Sequence, residues 1–276
     1  MLVQTQVNVE EPEDQYHSLA GDFLSSHLLG EFRGNPDMYR RVVEKEYHRP
    51  DSVYFTLGRA FHALVLEGED AYTSRFVVGG PINKTTGKSY GINTKAFTTW
   101  ASEQAEKGFE VISDSQNILV RTMALSVVRH VHASRLLNLA PFRERVSRVE
   151  YCGFPCQIRI DASGPTIGIV DLKSCEDIGK FYFDAKKWGY VNQLAFYSRV
   201  LYKAMKSAGR TPLPSDVHII VVEKKYPNRC GVWRVSSSEL EFAEKQNQEA
   251  IEELKTCMES GRWPTRYEEV RELVYN

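Results

Sequence analysis

Arg159-Ile160-Asp161-Ala162, followed beyond a Gly164-Pro165 turn by Ile169-Val170-Asp171-Leu172-Lys173-Ser174, is the stretch on which the reading of this chain depends. Both runs have the apolar, β-branched character of strands, and each delivers an aspartate near its end. Antiparallel pairing through the turn brings the two carboxylates to one rim. Lys173 lies two residues beyond Asp171, so the strand period of two points it to the same side. Two carboxylates and an ammonium around a small volume suit a hard divalent ion, which polarises a phosphodiester and lowers the pKa of bound water. The lysine orients that water or stabilises charge on the phosphorane. The bare spacing is common at strand edges, so its meaning depends on the surrounding elements.

Working outward, Val146 to Tyr151 and Gln157 to Ala162 read as strands preceding Ile167 to Leu172, separated by Gly and Pro turns. Ser25 and Ser26 can cap a short helix leading to Asn35-Pro36, and Gly58 to Glu67 has helical spacing at Phe61, Leu64 and Val65. Ala96 to Arg135 and Phe181 to Lys206 are helical in pattern. Val217 to Val222 and Gly231 to Val235 read as strands, and Ser238 to Glu259 as a serine-capped final helix. The order predicts an α/β (α+β) fold with a core sheet and flanking helices. Neither an internal repeat nor a Pro, Gly or Ser linker divides it, so residues 16–276 are read as one domain with a helical N-terminal part.

Glu10, Glu11, Glu13 and Asp14 make residues 1–15 acidic with no Lys or Arg, which predicts a flexible, solvated tail. The 276 residues carry 35 Lys and Arg against 36 Asp and Glu, so net charge gives no global pull toward nucleic acid. The balance is uneven along the chain. Lys180 to Arg210 holds seven basic residues against Asp184 alone, whereas Glu239 to Asn276 holds ten Glu. Such runs are often solvated helix faces; here the basic one is the candidate phosphate track, with Arg143, Arg145 and Arg148 as the next candidates. Five cysteines without paired spacing read as reduced thiols of a cytoplasmic protein, and no apolar run has membrane-spanning length.

Gln193 and Tyr197, four apart in Gln193-Leu194-Ala195-Phe196-Tyr197, share a helix face. Taken together, R-I-D-A, I-V-D-L-K-S and Q-L-A-F-Y resemble the PD-(D/E)XK nuclease superfamily, and within it the RecE-like (exodeoxyribonuclease VIII) exonucleases of phages and prophages. The likeness extends from Tyr16-His17 through Ser25-Ser26, Asn35-Pro36 and Leu57-Gly58-Arg59-Ala60-Phe61-His62-Ala63-Leu64-Val65-Leu66-Glu67 to Gly261-Arg262-Trp263-Pro264. The resemblance implies a restriction-endonuclease-like core, a central mixed sheet flanked by helices. It implies Asp161, Asp171 and Lys173 as catalytic residues, with Mg²⁺ (Mn²⁺ substituting) held by His62, Asp161, Asp171 and the Leu172 carbonyl. Gln193 and Tyr197 would support the site and contact DNA, with Lys186 and Lys187 on the basic track. Without the resemblance His62, on a helix beside Phe61 and Val65, reads as a satisfied core or surface histidine, and Gln193 and Tyr197 as helix packing.

The resemblance implies 5′ to 3′ digestion of double-stranded DNA ends inside a bacterial host, feeding a single-strand annealing protein, with a homo-oligomer such as a tetrameric ring as its assembly. A structure- or site-specific endonuclease, and a non-cleaving DNA-end-binding module, are the alternatives; the latter would have lost a carboxylate or the lysine, and neither is lost. Thr86-Gly87-Lys88-Ser89 imitates a phosphate loop, but Ile82 occupies the position of its first glycine. Nothing before Cys152 is a cysteine, which argues against the iron–sulfur cluster of some related nucleases.

Overall fold

The computed structural model describes residues 4–47 and 53–272. The elements run β1 (Gln6–Glu10), α1 (Glu13–Ser18), α2 (Ser26–Gly34), α3 (Pro36–Val43), α4 (Val53–His62), α5 (Glu69–Arg75), β2 (Phe76–Val78), α6 (Lys95–Glu106), β3 (Glu110–Ile112), α7 (Asp114–Arg129) and α8 (Val131–Asn138). They continue with β4 (Phe142–Tyr151), β5 (Phe154–Gly164), β6 (Gly168–Cys175), α9 (Phe181–Lys187), α10 (Tyr190–Ser207), β7 (Val217–Glu223), β8 (Cys230–Arg234) and α11 (Ser237–Ser260). A six-stranded mixed sheet has the order β1-β4-β5-β6-β7-β8, with β6 and β7 parallel and the other neighbours antiparallel. β2 and β3 pair in parallel in a separate small sheet.

Helices cover both faces of the central sheet, which explains the near-continuous apolar run of β7. Val217, Ile219 and Val221 face a core shared with Leu29 and Phe32 of α2, Leu194 and Val200 of α10, and Ile251 and Leu254 of α11. Ile220 and Val222 face the opposite core, with Phe61, Met123 and Leu137. The period of two therefore assigns alternate residues of one strand to two layers.

Turn chemistry sets the register of the strands around the expected site. Cys152 and Gly153 both have positive φ, the backbone of a two-residue hairpin turn, and Tyr151 pairs with Phe154 across it. β5 closes onto β6 through Gly164 and Gly168. A Cβ at Gly168 would lie 2.0 Å from the Asp216 carbonyl oxygen, so the tight approach that brings β6 beside β7 requires glycine there.

Three sequence expectations need correction. β4 begins at Phe142, four residues before the predicted strand, because its first residues pair with the end of β5. The region from Ala96 to Arg135 is interrupted at Gly108 and by β3, and Phe181 to Lys206 is divided by Gly189, whose φ of +64° starts α10 on a new axis. The acidic N-terminal segment is not a solvated tail among its described residues. β1 pairs with β4, Val7 is buried, Glu10 pairs with Arg145 at 2.6 Å, and α1 begins at Glu13. Glu10, Glu11 and Glu13 find counter-ions in Arg145, Arg148 and Arg159 on the strands they pack against.

The strongest of these contacts is Arg148 with Glu11, a buried bidentate pair at 2.6 and 2.7 Å, to which Gln6 and Gln157 add acceptor oxygens. Removing one member leaves the other charge unpaired in the interior. Glu11→Ala is expected to lower unfolding free energy by roughly 3–5 kcal/mol in urea titration. A loss under about 1 kcal/mol, the worth of an exposed pair, would mean that β1 frays in solution.

Candidate metal centre

The ladder between β5 and β6 is short: Gly164–Gly168, Ser163–Ile169 and Ala162–Val170 pair, and then the strands part. Asp161 and Asp171 are the next residues on either side of the split. Parting leaves backbone groups without a cross-strand partner, and the Leu172 N–H donates instead to Asp161 Oδ2 at 2.7 Å. The aspartate thus caps the opening and turns its carboxylate toward it.

β4 contributes a carboxylate that the sequence reading did not identify. Arg143 pairs with Ala162 and Arg145 with Ile160, so Glu144 stands across from Asp161. Glu144 has φ of +50°, in the left-handed region that costs a non-glycine residue about 1–3 kcal/mol and that gathers at functional sites. Arg159 holds one Glu144 oxygen at 3.1 Å. The other lies 3.8 Å from His62 Nδ1, which is also 3.7 Å from Asp161 Oδ2. His62 is the last residue of α4, and the helix widens into a π-helical turn over Ala63–Glu67 immediately after it. Such turns often mark functional positions in helices.

One ligand atom each from His62, Glu144 and Asp161 lies within 4.8 Å of the others. One imidazole and two carboxylates form a donor set that fits a divalent cation of the Mg²⁺ or Mn²⁺ kind. Asp171 stands outside this cluster. Its Oδ2 is 2.7 Å from Lys173 Nζ, yet both of its buried oxygens lack a hydrogen bond of proper geometry. A buried carboxylate so poorly satisfied is suited to take another cation.

Burial pushes the Asp171 carboxyl up to about 6, against the opposing attraction of Lys173. Burial disfavours the Lys173 ammonium, but Asp171 and Asp161 outweigh it and hold the proton more tightly than usual. Burial would likewise lower His62; Asp161 and Glu144 overcome it and raise the imidazole to about 9. Gln193 Nε2 donates to the Tyr197 hydroxyl at 2.9 Å, so these two helix neighbours are partners. Burial pushes the Tyr197 phenol up to about 12, against the opposing attraction of Lys173. The Lys173 ammonium also sits 5.2 Å from the Tyr190 ring centroid, under the start of α10.

The structure gathers Asp161, Asp171, Lys173, His62 and the Leu172 amide around one split, with Gln193 and Tyr197 on the helix above it. It does not unite the basic window. Lys186 and Lys187 are exposed on α9, but Arg199 on α10 pairs with Glu244 of α11 at 2.6 Å, and the Lys206 ammonium covers the Tyr202 ring. Part of the contrast between a basic middle and an acidic end is thus neutralised where α10 meets α11. Arg143 donates to the carbonyls of Val65, Leu66 and Leu137, and Arg145 and Arg148 are paired with Glu10 and Glu11, so these arginines form no alternative track.

His62 has a testable signature. A folded-state value raised from 6.5 to about 9 contributes stability that is complete below pH 6.5 and lost as pH rises through 9. In chelator, unfolding free energy should therefore fall by about 1–2 kcal/mol across that window, after discounting for partial exposure, and His62→Ala should flatten the fall. Urea melts at several pH values measure it; identical slopes in both proteins would remove His62 from the carboxylate cluster.

No curated protein matches the sequence. The structure superposes on the crystal structure of a "Putative exonuclease" from Eubacterium rectale with a TM-score of 0.66, 13% sequence identity and coverage of 97% of each chain, which is a likeness of fold. The family model of a PDDEXK-like domain of unknown function (DUF3799) matches residues 25–273. With a mixed sheet splayed over two aspartates and a lysine, and with that model spanning nearly all of it, the chain belongs to the PDDEXK-like DUF3799 family.

Proposed function

We propose that this chain is a divalent-metal-dependent nuclease that degrades double-stranded DNA from its ends, 5′ to 3′, leaving single strands for annealing during recombination. The observation that carries the hydrolytic part is the Asp171–Lys173 pair facing Asp161, Glu144 and His62 across the β5–β6 split. The end-directed, 5′ to 3′ part rests on the RecE-like motifs, as do a single-strand annealing partner and a ring-like homo-oligomer.

When bound, the metal supplies an acidified water and a polarised phosphoryl oxygen. His62, Glu144 and Asp161 would hold it, and Asp171 and the Leu172 carbonyl would complete the set. Lys173, 2.7 Å from Asp171, would donate hydrogen bonds and offset charge at the phosphorus. Before metal binds, Asp171 holds that ammonium at the split. Tyr197, steadied by Gln193, lines the same space from α10.

Asp161→Ala, Asp171→Ala and Lys173→Ala should each reduce cleavage by about 100-fold or more while the protein still folds, since preorganised groups at a reacting phosphate are commonly worth that much. Cleavage by the wild type should require Mg²⁺ or Mn²⁺ and stop in chelator. Mononucleotide release from linear duplex, compared with covalently closed circles, tests the end requirement. Cutting of the circles would convert the reading to an endonuclease, and full activity in either aspartate variant would end the metal-site assignment.

His62→Ala should raise the metal concentration for half-maximal cleavage by about tenfold or more. Unchanged metal dependence together with a much lower melting temperature would make His62 a packing residue.

A further inference from the structure

The α9 helix carries a surface that the hydrolytic machinery does not use. Its first residue, Phe181, is buried, stacks on Tyr190 at 6.1 Å between centroids and contacts Trp233 at 4.9 Å. Tyr190 in turn lies under the Lys173 ammonium. The helix is therefore anchored by one aromatic that is two ring contacts from the catalytic lysine.

The other aromatics of this short segment point outward. Tyr182, Phe183 and Trp188 are 76%, 70% and 63% exposed, and Tyr182 and Phe183 meet edge to face at 5.8 Å. Scattered exposed apolar residues are ordinary, but three large exposed rings within seven residues, two of them in edge-to-face contact, are more than scatter. Lys180, Lys186 and Lys187 are exposed among them, with Asp184 the only acid on the helix, and the Lys187 ammonium lies 4.8 Å from the Trp188 ring. Open aromatic faces interleaved with lysines complement a polyanion whose bases also have open faces, the combination by which single strands are gripped without sequence preference. Paired bases hide their faces inside the duplex stack, so the complementary ligand is unpaired.

We propose that α9 is a base-stacking platform. Tyr182, Phe183 and Trp188 hold unpaired nucleotides of the strand whose backbone lies at Lys173, and Lys180, Lys186 and Lys187 take the adjoining phosphates. This rests on the nuclease reading for the identity of the polyanion, and it adds a ligand state, an unpaired end, and a site outside the metal centre.

The test compares two fluorescent 12-nucleotide strands in chelator, one with bases and one abasic, by anisotropy with the full-length wild-type protein. Stacking of even one base predicts about tenfold tighter binding of the strand with bases. Tyr182→Ala/Phe183→Ala/Trp188→Ala should abolish that preference and leave the salt dependence of binding unchanged. Lys186→Ala/Lys187→Ala should retain the preference and flatten the slope of log affinity against log salt by about 1.4. Phe242→Ala, an exposed aromatic on α11, should alter neither. Equal affinity for the two strands overturns the platform, and because the wild type alone gives this result, no variant need fold for it to count. A preference that survives the triple variant also overturns it, as does binding of the full-length protein to vesicles of anionic phospholipid in place of the strands. If the strands bind equally while Mg²⁺-dependent cleavage persists, only the platform falls; if the wild type neither binds nor cuts DNA, the nuclease reading falls with it.

Discussion

The parting of β5 from β6 after Ala162–Val170 is the constraint from which the site follows. A sheet that opens in its interior exposes backbone donors that must find new partners. Asp161 provides one by accepting the Leu172 amide, and the same carboxylate then stands beside His62. The interaction that closes the ladder is thus also the one that orients a carboxylate proposed to hold the metal. Everything that keeps the strands in place, from the glycine approach at Gly168 to the helices packed on both faces, supports that opening.

The opening collects charge that a fold would otherwise avoid. Asp171 is buried with its oxygens poorly satisfied, Lys173 is held charged against burial, and Glu144 sits in an uncommon backbone conformation. A cluster with these features is costly to fold, and the proposed metal and phosphodiester would account for that cost. Elsewhere charges are matched at home: Glu11 with Arg148, Glu10 with Arg145, and Arg199 with Glu244. The exposed lysines of α9 are the contrast, and they lie on the element that follows Lys173 in the chain.

The sheet and Asp161, Asp171 and Lys173 were legible because strand alternation and a Gly-Pro turn are local signals. Glu144 was not, although its signal existed: the Cys152-Gly153 hairpin fixes a register that carries Glu144 opposite Asp161, provided the strand is extended back to Phe142. The alternation that marked β4 weakens over Phe142-Arg143-Glu144-Arg145, where charged residues pair with partners distant in sequence. The acidic N-terminus misled for the same reason. Glu10 and Glu11 have no basic neighbour in the chain, and their partners lie on β4, about 135 residues away. A charge run on α10 likewise cannot reveal that α11 lies alongside it.

Diffraction from crystals soaked in Mn²⁺, recorded for anomalous signal, tests the central claim most directly. The account predicts a peak bounded by His62 Nδ1, Glu144 and Asp161 at the β5–β6 split, with Asp171 drawn from Lys173 toward the ion. No peak at saturating Mn²⁺, or one bound only by surface carboxylates away from that split, would contradict it.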